Sequence, residues 1–354
     1  MPDAKHKAID AIQRAHQIAF APFIFQTVIS LRKLEILDLI FEHESEGGIT
    51  IKSLSEKSEV DLYGLGVLLE LAETMEIVLK NEEGKFQLSK IGYFLNFNES
   101  IIANLNFAND VCYKGLYHLP ESVSKGTPEG LKELGNYQSI YQGLPTLPHN
   151  ARNSWFRFDH FYSDEIFDEA LEKVYRNCPK DLFDVGANTG RFALKVLQKY
   201  PETNLSLIDL PGQLEAAKKN LEQHGLFDKV NFIEIDWLGE NPKLTKNADA
   251  IWMSQFLDCF SESEIISILK VCSNHLNSEG QLFIVETLTD RQRFPSAKMA
   301  LEATSLYFTA LANGNSKMYS SEVLKKLVEK SGLEVVEDLP LGDFHTMFVC
   351  QLKK

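Results

Sequence analysis

The sequence predicts an α/β protein: a Rossmann-like, doubly wound sheet in the C-terminal half, preceded by a helical domain of winged-helix type. Three observations carry this. From Asp181 onward, apolar runs of strand length alternate with helical stretches, the rhythm of βαβ units. The first of those runs ends in a glycine-bearing loop, Gly186 to Gly190, set between strand and helix. Before residue 100 the pattern is instead helices followed by one small hairpin. At 354 residues the chain is long enough for about two domains. Its 44% apolar and 24% charged residues are a globular composition that excludes disordered and fibrous classes.

The opening is helical: Ala8–His16 and Ala19–Phe41 repeat apolar residues at three and four, and Glu46-Gly47-Gly48 ends them. Residues 52–57 form a short helix and Asp61 starts a second over Leu62–Met75. Ile77–Lys80 and Phe86–Leu88 then pair across a turn at Asn81–Gly84. Residues 96–180 are irregular to helical, with turn clusters at Gly126–Gly130 and Gly143–Pro148. The aromatic run Trp155–Tyr162 either packs a core or walls a flat ligand. Strands follow at Asp181–Val185, Leu205–Asp209, Val230–Ile235, Ala250–Met253 and Gln281–Glu286, with helices at Gly190–Lys199, Gln213–His224 and Glu262–His275. Helices Ser296–Ala312 and Ser320–Ser331 and strands Leu333–Asp338 and His345–Leu352 complete the chain. The expected division is 1–100, a helical winged-helix domain; 101–180, a helical linker that contributes to a substrate pocket; and 181–354, the ligand-binding domain.

Charge narrows the function. Lys plus Arg number 36 against 50 acids, a net −14 that repels phosphate backbones and anionic lipid. Between Ile49 and Leu95 five lysines face eight acids, and Asp61–Met75 holds neither Lys nor Arg. The helix-turn-helix therefore reads as a packing or dimerisation module, and no nucleic-acid partner is expected. The apolar stretch Ile18–Ile29, interrupted by Gln26, falls short of the ~20 residues a bilayer requires, so no membrane partner is expected either. The leader, Met1 to Lys7, lacks the apolar core of a signal peptide. Five cysteines without a C-x-x-C pair point to reduced thiols in the cytoplasm.

The chemistry concentrates in Asp184-Val-Gly-Ala-Asn-Thr-Gly190. Gly186 lets a ligand approach the backbone, Gly190 permits close helix packing, and Asn188 is the best residue after glycine for a left-handed turn. A dinucleotide fingerprint would need glycine at 188 and 191, where the chain has Asn and Arg. That argues against an NAD-dependent oxidoreductase, as the missing basic residues argue against a winged-helix transcriptional regulator. An adenosine ligand without pyrophosphate suits the loop better. Asp209 ends the second strand, twenty-three residues after Gly186, where a carboxylate can take both ribose hydroxyls. Asp236-Trp237 follows the third strand, with an acceptor for an adenine amino group and an indole to stack on it.

On these residues the chain resembles, over nearly its whole length, the two-domain S-adenosylmethionine-dependent O-methyltransferases, which include plant phenolic and bacterial polyketide enzymes. The resemblance implies a winged-helix dimerisation domain and hence a homodimer, and a methyltransferase sheet whose last strand runs antiparallel. It also implies S-adenosylmethionine as cofactor, S-adenosylhomocysteine as product, and methyl transfer to a hydroxyl of a small aromatic or polyketide-like acceptor. Asp184, Gly186, Asn188, Gly190, Asp209, Leu210, Asp236 and Trp237 fall on the family's cofactor motifs, and Ser254 and Gln255 where the segment after the fourth strand contributes. Tyr162 and Ser163 match the aromatic helix that closes over cofactor and acceptor, and Trp155, Phe158, His160 and Met299 are expected at the acceptor pocket.

The catalytic residues depart from the family. Where members carry His-Asp-Trp after the fourth strand, with the His as general base, this chain has Asp258-Cys259-Phe260. The carboxylate that flanks the His is kept as Glu286, and the second falls on Lys317. Asp258 is expected either as the base, its charge set by Glu286 and Lys317, or as a cap for the helix near Ser261 or a partner of Lys317. His345 is a further candidate base or a structural histidine. No histidine pair or carboxylate spacing suggests a metal, and none is expected.

Overall fold

A computed structural model describes residues 7–354; residues 1–6, which hold most of the leader, lie outside them. Contacts divide the chain into two units, Met1–Asn109 and Asp110–Lys354. No helix among the described residues is long and apolar enough to cross a membrane.

In the first unit the expected two opening helices are three: α1 (Ala8–Ala19), α2 (Ala21–Lys33) and α3 (Ile36–Glu42). Pro22 suits the first turn of α2, and Glu35, at φ 57°, turns the chain left-handed between α2 and α3. Then come β1 (Ile49–Thr50), α4 (Ile51–Ser58), α5 (Leu62–Thr74), β2 (Val78–Lys80), β3 (Lys85–Leu88), α6 (Lys90–Phe97) and α7 (Glu99–Phe107). The strands lie in the order β1-β3-β2, all antiparallel. Side chains set the helix starts: Thr50, Asp61, Ser89 and Asn98 accept from the N–H groups of Ser53, Gly64, Gly92 and Ile101. Leu31, Ile36, Leu37, Ile40, Leu54 and Leu65 form a fully buried core. Helix α1 buries nothing, and Ile9, Ile12, Ile18, Phe20 and Phe23 are each more than half exposed.

The second unit opens with α8 (Leu119–Lys125), α9 (Ile140–Gly143), α10 (His149–Ser163) and α11 (Phe167–Val174). The alternation follows: β4 (Asp181–Val185), α12 (Arg191–Lys199), β5 (Asn204–Asp209), α13 (Pro211–Gln223), β6 (Val230–Glu234), β7 (Ala248–Ser254), α14 (Glu262–Asn274) and β8 (Leu276–Glu286). Helices α15 (Pro295–Tyr307) and α16 (Ser321–Lys330) precede β9 (Leu333–Leu341) and β10 (His345–Leu352). The seven strands run β6-β5-β4-β7-β8-β10-β9. The first five are parallel, and β10 is antiparallel to both β8 and β9.

Both faces of this sheet are covered, which explains the nearly unbroken apolar runs. Phe183, Ile251 and Met253 pack with Ile265 and Leu269 of α14 and Leu327 of α16. Alternate residues Leu182 and Trp252 pack on the other side with Leu171 of α11 and Val196 of α12. Gly190 starts α12 at φ 75°, and a Cβ there would lie 3.3 Å from the Ala217 Cβ of α13, so close packing and a left-handed turn both call for glycine. Trp252, 1% exposed, stacks on Phe192 with centroids 4.3 Å apart. Trp252→Ala is expected to destabilise the second unit by about 3–5 kcal/mol; guanidinium unfolding that shifts by less than about 1 kcal/mol would contradict this packing.

Candidate active site

The chain moves outward from β4 through β5 to β6, then returns to β7 on the other side, so the carboxyl ends of β4 and β7 flank a crevice. The loop leaving β4 holds Gly186 at φ 78° and Asn188 at φ 48°, the asparagine supplying a turn that glycine commonly makes. A Cβ on Gly186 would meet the Phe256 ring at 2.4 Å. The neighbour that this glycine admits is therefore an aromatic ring of the chain itself. The cleft here has about 470 Å³ of empty space, its open mouth included, and is bordered by Asp159, Ser163, Asp184, Gly186, Asn188, Ser254 and Gln255.

Acids gather at the cleft and at the strand ends beside it. Asp184 is buried with its Oδ2 unpartnered, and burial together with Asp209 pushes it up to about 8. Asp209 accepts the N–H of Asn188 at 2.8 Å and of Leu210 at 2.7 Å; burial still raises it to about 6 against those bonds. Ser254 Oγ, Gln255 Oε1 and Trp237 Nε1 are also buried without partners. A buried polar group left unpaired costs roughly 1–3 kcal/mol. A ligand carrying both donors and acceptors would relieve several at once. Asp236 is exposed, its Oδ1 accepting the Leu238 N–H. Trp237 continues the inward alternation of Ile235, is 6% exposed, and meets Phe256 edge-on at 6.4 Å.

Helix α10 is tied to the loop by polar contacts. Asn188 Nδ2 donates to Asp159 Oδ2 at 2.8 Å, Arg191 pairs with Asp164, and His160 Nε2 lies 3.5 Å from Thr189 Oγ1. Burial, then Arg191, lowers His160 to about 4, so it is neutral at pH 7. Ser163 borders the cleft, whereas Tyr162 meets Phe158 and Phe344 edge-on and does not. Trp155 Nε1 donates to the Tyr307 hydroxyl at 2.7 Å. Met299, on α15, is 66% exposed.

A second group gathers where β7 and β8 end. Glu286 closes β8, and its Oε1 accepts the N–H of Phe256 at 3.1 Å and of Leu257 at 2.8 Å, leaving Oε2 without a partner. Asp258 is equally buried, and Cys259 Sγ donates to its Oδ1 at 3.4 Å. Burial raises Asp258 to about 6, and burial plus the Asp258 charge holds Glu286 well above the usual range. Two buried acids that repel one another hold one proton between them near neutrality.

Two of the readings of Asp258 fall. Helix α14 is capped by Ser261 and Glu264 in a reciprocal box, the Ser261 N–H donating to Glu264 Oε2 at 2.7 Å. Lys317 is exposed, its ammonium 5.6 Å over the Tyr319 ring, and it pairs with neither acid. Its neighbours Ser316 and Met318 are buried, so the extended segment turns Lys317 outward. His345 is buried at the start of β10 with neither ring nitrogen partnered, and burial lowers it to about 4. Thr346 lies opposite Glu286, so His345, one residue back, projects from the other face and does not join the pair.

Sequence reasoning passes over Tyr141, Tyr307 and Asp159. The Tyr141 hydroxyl is buried facing the Cys259 thiol, and burial followed by Cys259 and Tyr307 raises it far above 10. It sits on a four-residue helix between two turn clusters, where no periodicity marks it.

Comparison with known proteins adds the following. A family model described as an O-methyltransferase domain matches residues 157–334. Another, described as a Dimerisation2-like domain, matches residues 13–86. The chain is 22% identical over 291 residues to bacteriochlorophyllide d C-20 methyltransferase of Chlorobaculum tepidum, covering 80% of this chain and 81% of that protein. Among solved structures it is similar in fold to mitomycin 7-O-methyltransferase MmcR, with TM-score 0.75, 19% identity, and 97% and 98% of the two chains covered. It is also similar to the O-methyltransferase NcsB1 from neocarzinostatin biosynthesis, solved with S-adenosylmethionine and 2-hydroxy-5-methyl naphthoic acid, with TM-score 0.66, 16% identity, and 93% and 95% covered.

Proposed function

Because the chain belongs to the family of O-methyltransferase domain proteins, we propose that it methylates a hydroxyl of a small aromatic or polyketide-like acceptor from S-adenosylmethionine, as a cytoplasmic homodimer. The observation that carries the reading is the buried Asp258–Glu286 pair beside a cleft whose polar atoms lack partners. S-adenosylmethionine supplies an electrophilic methyl group on a positively charged sulfur.

The residues of the cleft and of the strand ends beside it fit that donor. Asp209, its carboxylate fixed by two backbone N–H groups, takes the ribose hydroxyls, and the exposed Asp236 accepts from the adenine amino group. Asp184, Ser254, Gln255 and Ser163 offer the polar atoms for the amino acid end, along the backbone that Gly186, Asn188 and Gly190 shape. Trp155, Phe158 and His160 wall the acceptor, on the side that the helical segment before β4 supplies. Glu286 keeps the shared proton, which leaves Asp258 ionised, and Asp258 accepts the acceptor's hydroxyl proton and becomes neutral as the methyl group is transferred. A phenol near ~10 still lies above Asp258 at about 6, so the proton leaves as the oxygen attacks rather than beforehand.

The match of residues 13–86 to a dimerisation domain and the unburied apolar face of α1 support assembly of two copies. All five cysteines are free thiols, which supports a reducing compartment.

Calorimetry tests the cofactor: Asp209→Ala is expected to lose about 1.5–3 kcal/mol of S-adenosylmethionine binding, and unchanged affinity in the folded variant would remove the assignment. Asp258→Asn is expected to cut turnover about 10²–10⁴-fold with cofactor affinity intact. A raised carboxyl is protonated below its own value, so kcat/KM of the unmodified enzyme rises with pH through about 6. Near-normal turnover in Asp258→Asn would remove Asp258 from the mechanism. Light scattering is expected to return twice the chain mass at micromolar concentration; a monomer would contradict the assembly.

A further inference from the structure

Asp159 lines the cleft from α10. It projects from α10 into the cleft with a quarter of its side chain open, and the hydrogen bond its Oδ2 accepts comes from the neutral amide of Asn188. The groups that face it are Asp258 beyond β7, Asp164 and His160 from its own end of α10, and Arg191 on α12. Arg191 is engaged by Asp164, and His160, 3.9 Å from Asp159 Oδ2, is neutral. Asp159 thus borders the cleft as a carboxylate whose neighbouring cations are already engaged or neutral, and the Asp258 charge is among those that raise it.

Resting on the use of S-adenosylmethionine argued above, we propose that Asp159 is a binding residue that holds the positive sulfur of the methyl donor and so makes the site prefer the charged donor to its neutral product. The reaction requires the methyl group to pass from the cleft toward Asp258, and Asp159 borders that cleft and feels the Asp258 charge. Donor and product share their nucleoside and amino acid parts and differ in the methyl group and the sulfur's charge. Asp209 and Asp184 therefore serve both molecules alike, whereas a carboxylate beside the sulfur separates them. Burial and the Asp258 and Asp164 charges hold Asp159 at about 7 in the free protein, so that a cation beside it draws off a proton near neutrality.

Calorimetry with S-adenosylmethionine and S-adenosylhomocysteine, on the full chain and on Asp159→Asn, tests this. The variant is expected to bind the donor about tenfold more weakly, one pK unit's worth of charge interaction, with product affinity within about twofold. Equal losses for both ligands, or no loss for either, would overturn the proposal. Failure of the unmodified protein to bind either ligand would instead overturn the cofactor reading itself. A second measurement needs no variant: the ratio of donor to product affinity in the unmodified protein should rise between about pH 6 and 7.5 as Asp159 ionises. Asp258 and Glu286 titrate nearby, so the same series on Asp159→Asn should be flatter. A ratio that does not change with pH in the unmodified protein sinks the assignment even if the variant fails to fold.

Discussion

One carboxylate oxygen organises this site. Glu286 Oε1 accepts two successive backbone amides, from Phe256 and Leu257, and so clamps the segment leaving β7 to the end of β8. Gln255, immediately before, is left-handed at φ 47° and gives its N–H to Val285. A non-glycine residue holds that conformation when its surroundings fix it on both sides. The clamp decides where everything downstream points: Phe256 goes against Gly186 to wall the cleft, and Asp258 goes into the interior beside Glu286. Cleft and acid pair are one construction, hung on a buried acceptor that two backbone hydrogen bonds hold in place.

Such a construction leaves carboxyl groups inside without a built-in cation. Asp159, Asp184, Asp209, Asp258 and Glu286 all sit above the ordinary carboxylate range, and in each case burial is the leading cause. A structural salt-bridge network would show the opposite sign, with acids lowered by nearby cations. That is what happens at the surface, where Lys125 lowers Glu121 and Lys326 lowers Glu322. The contrast separates acids held ready for a visitor from acids that merely decorate helices.

Much of the fold was legible in the sequence because a parallel sheet buried on both faces writes its strands as plain apolar runs, and the strand expectations from Asp181 onward fall within a few residues of the observed β4–β10. The loop glycines and Asn188 were legible for a similar reason: positive φ restricts residue choice locally. What escaped depends on non-local geometry. The break at Glu35 is a left-handed turn at a residue with no such preference. Lys317 misled because a position matched to a motif says nothing of whether its neighbours turn it inward. Asp159 and Asn188 are 29 residues apart, and Tyr141 reaches Cys259 from a segment without periodicity. Trp237 could be placed after the third strand but not seen to be covered.

Cys259 carries a consequence for the durability of the protein. A sulfonium is an alkylating agent, and thiolates are the nucleophiles most readily alkylated at neutral pH. The sulfur next to the acid pair is kept as an unionised thiol by its burial and by the adjacent Asp258 charge, and its proton is spent on Asp258 Oδ1. In that form it is a poor nucleophile. The environment that readies a carboxylate thus disarms the cysteine beside it, so the protein can house a reactive methyl group without labelling itself.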